Sequence, residues 1–178
     1  MTDEEIDKGS SNESFAVVGE LVMISTALDW LLNRVLITML DLRGALLLEP
    51  VVATLDPARK VEILKARAAS MPAKDWKKGV QKFCDRVDSV FKQRNIACHT
   101  TPILKHGVWT FKPVAAAKML KQIDFTGKTV HASSVNDFRA AIKTGESALG
   151  DGMNLIENFN RANAEKKRRD AAKKQPPS

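Results

Sequence analysis

The sequence predicts a mainly α-helical fold, a four-helix up-and-down bundle with a small β-hairpin inserted before the last helix. Three observations support this prediction. Long segments place apolar residues at helical spacing, helix start signals such as Asp56-Pro57 separate them, and residues 107–132 alternate instead like short strands. The 178 residues and 44% hydrophobic content suit one packed domain, which we place at residues 14–161.

The first element is a long helix that ends near residue 40. Asn12 or Ser14 can cap its start, and the segment contains one glycine and no proline. Its apolar residues occupy an arc too wide for one surface helix. This width indicates a central helix, or one covered on one side by its own domain and on another by a second chain.

The next segment, LEPVVATLD, is interpreted as a loop with a short turn. A second helix follows, with Asp56 as its N-cap and Pro57 at its first position, and it runs to about Ser70. Pro72 separates it from a third helix, residues 73–99. The residues predicted to form the inner face of the third helix are Trp76, Val80, Phe83, Val87, Val90 or Phe91, and Ala97.

The predicted hairpin contains two strands, HGVWTFKP and KQIDFTGKTVHAS. The last helix then begins at SSVNDF, where Ser134 and Asp137 match a capping box. Gly145, Gly150 and Gly152 predict a bend in this helix. Beyond it, residues 162–178 are expected to be a disordered basic tail.

The net charge of +7 is unevenly distributed along the chain. Residues 1–13 are acidic and are expected to be disordered, whereas residues 161–178 carry seven Lys or Arg against Glu165 and Asp170. The segment between these ends is itself basic. A basic body admits an anionic partner such as nucleic acid, although it is equally compatible with an ordinary soluble surface.

A cytoplasmic protein without a membrane segment is predicted from the cysteines, the apolar runs and the N-terminus. Cys84 and Cys98 lie 14 residues apart on one predicted helix, a separation of about 21 Å that no disulfide spans. Neither cysteine belongs to a CxxC pair, so no metal site is expected. No apolar run reaches the roughly 18 residues of a membrane span, and the acidic N-terminus does not resemble a signal peptide.

The end of the third helix, RNIACH, concentrates residues that carry chemistry. Asn95 and His99 share a face at i and i+4, whereas Arg94 lies about 140° away from His99 on an ideal helix. Pro102 disfavours helical geometry at the residue before it, so the helix is expected to end near Thr100. Without further context, the hexapeptide is also compatible with a helix cap, His99 on carbonyl groups and Arg94 on a surface acid.

RNIACH resembles the R-x4-6-H motif of the HEPN superfamily, including the Asn that often follows the Arg. The resemblance covers roughly residues 14–160 and implies a helical, metal-independent endoribonuclease without cofactor, whose two motifs meet in a homodimer. It implies that Arg94 contacts the scissile phosphate, that His99 is the general acid or base, and that Asn95 orients His99 or binds phosphate.

Other residues are candidates for supporting roles. Lys92 and Lys105 flank the motif and can attract phosphate groups. Asp29 lies in a polar stripe with Thr26 and Asn33 on the first helix, interpreted either as a hydrogen-bonded core stripe or as a second shell behind His99.

The resemblance also implies a biological setting: the toxin of a toxin–antitoxin pair, with a cognate antitoxin protein, or a phage-defence component. The alternatives are a non-catalytic HEPN-like dimer that binds a nucleotide or scaffolds a partner protein, and a nucleic-acid-binding protein that uses the tail KKRRDAAKK.

Overall fold

The computed structural model describes residues 3–44, 47–105, 108–113 and 132–173, and the predicted mainly α-helical class is confirmed. The helices are α1 (Asp3–Met39), α2 (Leu48–Thr54), α3 (Pro57–Ala69), α4 (Lys74–His99) and α5 (Val135–Lys173). A small antiparallel sheet, in the order β1-β2-β3, contains β1 (Thr100–Lys105), β2 (Val108–Pro113) and β3 (Ser133–Ser134).

Both chain ends are more helical than the sequence predicted. Helix α1 begins at Asp3 rather than at Asn12 or Ser14, so it includes most of the segment expected to be disordered. The sequence DEE places negative charge at the N-terminus of α1, where the helix dipole favours it. Helix α5 likewise continues to Lys173 through a segment rich in alanine, lysine and arginine, which are good helix formers.

The start signals in the middle of the chain are confirmed. Asp56 caps α3 by accepting a hydrogen bond from the backbone N–H of Arg59 at 2.9 Å, and Pro57 is the first residue of the helix. The prediction for the segment before α3 is wrong, because residues 48–54 form helix α2 rather than a loop with a turn. Pro50 lies in the first turn of α2, where a proline costs no intrahelical hydrogen bond.

The sheet has a different pairing from the predicted hairpin. The strand predicted around Val108–Pro113 is confirmed, but it pairs with β1, which directly follows α4, in a register that places Ile103 opposite Thr110. Pro102 is accommodated because β1 is an edge strand. The second predicted strand, residues 121–133, lies outside the described residues except at its end, where Ser133 begins β3 and pairs with Phe111.

The chain divides into two compact units, each built from separated segments. The first comprises residues 1–26 and 88–146. Its buried apolar residues include Val17, Leu21, Val90, Ala97, Phe111, Phe138, Ala141 and Ile142. Phe111 of β2 and Phe138 of α5 meet edge to face, with 4.7 Å between ring centroids.

The predicted capping box at the start of α5 is confirmed in this first unit. The backbone N–H of Ser134 donates to Asp137 Oδ2 at 2.7 Å, and the backbone N–H of Asp137 donates to Ser134 Oγ at 3.3 Å. The reciprocal pair satisfies two backbone donors that the first helical turn otherwise leaves open.

The second unit comprises residues 27–87 and 147–178. Its buried apolar residues include Leu28, Leu31, Leu32, Val35, Leu36, Val61, Leu64, Val80, Phe83, Cys84, Val87, Leu155 and Phe159. Within it, Trp76 of α4 is half-buried and packs edge to face on Phe159 of α5. The inner face predicted for the third helix is therefore largely confirmed, and Val90 rather than Phe91 is the buried member of that pair.

One part of α1 satisfies the length and composition criteria for a membrane helix. Residues Asn12–Met39 contain a window with a mean hydropathy of 1.7, of which 33% is buried. No uninterrupted apolar run of this length occurs there, because Glu20, Asp29 and Arg34 interrupt the segment, but the averaged hydropathy of the window is high. Core helices of soluble proteins meet the same criteria, so this finding does not identify a membrane protein.

Helix α5 passes through all three of its glycines without interruption, and two of them have opposite surroundings. Gly152 is buried, and a Cβ atom there would lie 2.4 Å from Leu31 Cδ2 and 2.9 Å from Phe83 Cε2. Gly150 is exposed, with no atom within 4 Å of such a Cβ. Gly152 therefore permits close packing of α5 on α1 and α4 within the second unit.

We expect Gly152→Ala to lower the free energy of unfolding by about 1–2 kcal/mol, because overpacking outweighs the gain in helix propensity. Gly150→Ala is the matched control and should raise it by up to about 1 kcal/mol. Urea denaturation of both variants measures the difference. Equal stability of the two variants would show that the Gly152 site can relax freely.

Candidate functional site

The end of α4 presents one exposed polar face. Lys92, Asn95 and His99 follow one another at i, i+3 and i+7, and all three side chains are exposed. Helix α4 ends at His99 and β1 begins at Thr100, as the sequence predicted for the helix end. Thr100 Oγ1 donates to the carbonyl oxygen of Ile96 at 2.6 Å, and so satisfies one of the open carbonyl groups of the last turn.

Arg94 lies beside this face, and its side chain is directed to it. Its Nη1 donates to Asn95 Oδ1 at 3.1 Å. Its Nε is buried and has no hydrogen-bond partner among the described residues. The contact joins Arg94 to Asn95, which lies one turn before His99 on the same face of the helix.

The helix-cap alternative finds no support in the described residues. No ion pair joins Arg94 to a carboxylate in this part of the chain, and no hydrogen bond joins His99 to a backbone carbonyl group there. Among the described residues the guanidinium group therefore has no counter-ion, and His99 is exposed at the end of α4. A group of this kind can bind an anion such as a phosphodiester.

A contact that the sequence did not predict supports the helix next to Arg94. Ser133 Oγ of β3 donates to Gln93 Oε1 of α4 at 3.1 Å, between residues 40 positions apart in the chain. It ties the sheet to α4 one residue before Arg94. Gln93 belongs to no recognisable motif, so only the three-dimensional pairing identifies it.

The two flanking lysines differ in position. Lys92 is exposed on the same face as Asn95 and His99. Lys105 ends β1, six residues beyond His99, which corresponds to about 20 Å along an extended strand. The backbone of Lys105 is thus separated from His99 by the length of β1, and its role in binding substrate stays a prediction.

Asp29 has a different partner from the one considered in the sequence. Lys60 of α3 is fully buried, and its Nζ donates to Asp29 Oδ1 at 2.7 Å. Asp29 is therefore the counter-ion of a buried lysine within the second unit, and its role as an acid behind His99 stays a prediction. A lysine in a strongly amphipathic helix carries no sequence signal of burial, so this pair was not predicted.

The other residues of the polar stripe are not linked to Asp29 by any hydrogen bond among the described residues. Thr26 Oγ1 donates to the carbonyl oxygen of Val22 at 3.0 Å, within its own helix. Asn33 Oδ1 is buried and has no hydrogen-bond partner in the described part of the chain. The stripe is thus a set of separate local contacts.

No group of three or more His, Cys, Asp or Glu side chains that can hold a metal ion occurs among residues 12–44, 47–104, 109–111 and 132–173. Cys84 is buried and Cys98 is exposed, and neither forms a disulfide with another described residue. Comparison with protein-family models, curated proteins and solved structures finds no match for the chain.

Proposed function

We propose that this protein is a metal-independent endoribonuclease whose site is formed by Arg94, Asn95 and His99. The observation that carries the proposal is the Arg94 guanidinium group, which bonds to Asn95 and faces no carboxylate among the described residues. An arginine held in this way beside an exposed histidine suits a phosphodiester, because one group stabilises negative charge and the other transfers protons.

The reaction we propose uses the ribose 2′-hydroxyl as the nucleophile. His99 accepts the proton of this hydroxyl as its oxygen attacks phosphorus. The bond between phosphorus and the 5′-oxygen breaks, and that oxygen receives a proton from His99 of the partner subunit. Arg94 donates hydrogen bonds to the non-bridging oxygens, where negative charge increases in the transition state. The products are a 2′,3′-cyclic phosphate and a 5′-hydroxyl end.

The need for two imidazole groups makes a homodimer part of the proposal. Helix α1 carries large apolar side chains that the single chain leaves uncovered: Phe15 is 64% exposed and Met23 is 72% exposed. Exposed apolar side chains of this size are available to pack against a second copy of the chain. The same surface also favours the second candidate function, a non-catalytic dimer that scaffolds a partner or binds a nucleotide.

The experiment that tests the proposal is incubation of the purified protein with single-stranded RNA in excess EDTA. Cleavage should persist, and the 3′ ends should carry 2′,3′-cyclic phosphate, detected by mass spectrometry. If the protein forms a stable dimer but cleaves no RNA, the non-catalytic scaffold is the function that remains. A role as a toxin or in phage defence would be worth testing only after cleavage is observed.

We expect Met23→Glu to dissociate the homodimer, because a charge buried in an apolar interface is left without a partner. The dissociation constant should rise at least about 100-fold, the scale of a hot-spot loss of roughly 3 kcal/mol. Analytical ultracentrifugation measures the change. Met153→Glu is the matched control, since Met153 is also exposed, at 49%, but lies on α5. Similar dissociation by both variants, or by neither, would argue against an α1 interface.

A further inference from the structure

The C-terminal part of α5, residues 161–173, is a second charged feature of the chain and is called here the basic arm. It is helical to Lys173, and every residue from 164 to 173 is exposed. Phe159 is the last large apolar residue of the helix, and the arm contains only alanine as an apolar residue type. The arm therefore has no apolar stripe with which to pack on its own domain or on another protein.

The base of the arm is held in place within the second unit. Asn163 Nδ2 donates to the carbonyl oxygen of Thr38 at 2.9 Å, and Lys167 Nζ lies 3.5 Å from Asp41 Oδ1. Thr38 lies in the last turn of α1, and Asp41 follows the helix and closes it in a left-handed conformation with φ of 52°. The arm thus starts from a defined anchor rather than from a loose terminus.

The charges of the arm are largely unneutralised. It contains six Lys or Arg against Glu165 and Asp170. Arg169 pairs with Glu165 at 3.9 Å, which is a weak, exposed contact. In the described part of the chain, Lys166, Arg168 and Lys173 form no ion pair.

The positive residues are also concentrated on one side of the helix. At 100° per residue, five of them lie within about 160° of the helix circumference. These residues are Arg161, Lys166, Arg168, Arg169 and Lys173. The arm is about 18 Å long at 1.5 Å per residue, long enough to follow several successive phosphate groups.

We propose that the basic arm binds RNA through its phosphodiester backbone, without sequence preference. The choice of RNA rests on the proposed function, whereas the phosphate binding rests on the arm alone. A helix side rich in cations, with Glu165 as the one acid among them and without apolar or aromatic neighbours, suits the phosphate groups of a nucleic-acid backbone. An anionic membrane surface is a poorer match, since a helix lying on a membrane needs large apolar residues on its other face.

The test measures binding of a fluorescein-labelled 20-nucleotide oligouridylate by anisotropy, over a range of salt concentrations. The full-length protein carries His99→Ala, so that the RNA stays intact whether or not the wild-type protein cleaves it. The arm variant adds Lys166→Gln, Arg168→Gln and Lys173→Gln. The charge-matched control adds Lys74→Gln, Lys77→Gln and Lys78→Gln, three exposed lysines at the start of α4. Circular dichroism checks that both variants fold.

The arm variant should raise the Kd for RNA at least about 10-fold at low salt and reduce the slope of log K against log salt by about 2, as expected for three lost phosphate contacts. The control should change the Kd less than about 2-fold. Equal losses in both variants, or none in the arm variant, would overturn the proposal.

Stronger binding to vesicles containing phosphatidylglycerol than to RNA, or at least about 10-fold tighter binding to duplex DNA, would overturn RNA as the partner. If the wild-type protein cleaves nothing but the arm behaves as expected, only the endoribonuclease proposal fails.

Discussion

His99→Ala is expected to reduce RNA cleavage in EDTA by about 100- to 10,000-fold, the usual contribution of a general acid or base. The effect should be large because no other His, Lys or carboxylate group occurs within the last turn of α4, so no neighbour in that turn can take over the proton transfer. The measurement is the initial rate of cleavage of a labelled RNA under single-turnover conditions. Gel filtration of the variant checks that the dimer is intact.

Arg94→Ala should cost about 100- to 1,000-fold in the same assay, the effect of losing one group that stabilises transition-state charge. Arg94→Lys should recover only part of this loss, since a lysine keeps the charge but not the forked geometry that contacts two phosphate oxygens. Cys98→Ser is the matched control, because Cys98 is exposed, lies between these residues in the chain and has no role in the proposed reaction. Cleavage by the His99→Ala and Arg94→Ala variants at the rate of the Cys98→Ser control would remove the assignment of the site.

Asp29→Ala is expected to lower the free energy of unfolding by about 3 kcal/mol, because it leaves the ammonium group of Lys60 buried without its counter-ion. Lys60 is fully buried, whereas the Asp29 side chain is 38% exposed. Water can reach the carboxylate more easily than the ammonium group, so the cost of the deletion should be at the lower end of the range for buried pairs. Urea denaturation measures it.

The reverse deletion should be much milder. Lys60→Met removes the buried charge, keeps most of the apolar stem and leaves Asp29 able to turn towards water, so we expect a change within about 1 kcal/mol. The double variant should match Lys60→Met alone, since no unpaired buried charge remains. Glu20→Ala, an exposed acid on the same helix, should change stability by less than about 0.5 kcal/mol. Equal costs for Asp29→Ala and Lys60→Met would show that the asymmetry in burial has no energetic effect.

The local parts of the fold were predictable from short stretches of sequence. The Asp56-Pro57 start of α3 and the Ser134/Asp137 capping box at α5 are confirmed because each depends on residues at most three positions apart. The buried face of α4 followed from the 3.6-residue period in the same way, since Val80, Phe83 and Val87 recur at that spacing.

Pairings between distant segments were not predictable in this way. Thr-Thr-Pro ends α4 as expected, but nothing in those three residues indicates that they begin a strand, because a strand depends on a partner elsewhere in the chain. Pro102 has no backbone N–H to donate to a sheet and is tolerated because β1 lies at the edge. The same limit explains why the contact between Gln93 and Ser133 was missed.

Some features of the candidate site depend on a single helix, and others depend on distant segments of the chain. Its residue types and their spacing along α4 are properties of a single helix, and therefore Arg94, Asn95 and His99 could be selected from the sequence. The surroundings of these residues could not be predicted in the same way, because they depend on where other segments lie. Examples are the absence of a carboxylate at Arg94 among the described residues, the distance of Lys105 and the pairing of Asp29 with Lys60. Hydrogen bonding and side-chain periodicity within a helix act over a few residues, whereas burial and charge neutralisation are set by neighbours that folding brings from any point of the chain.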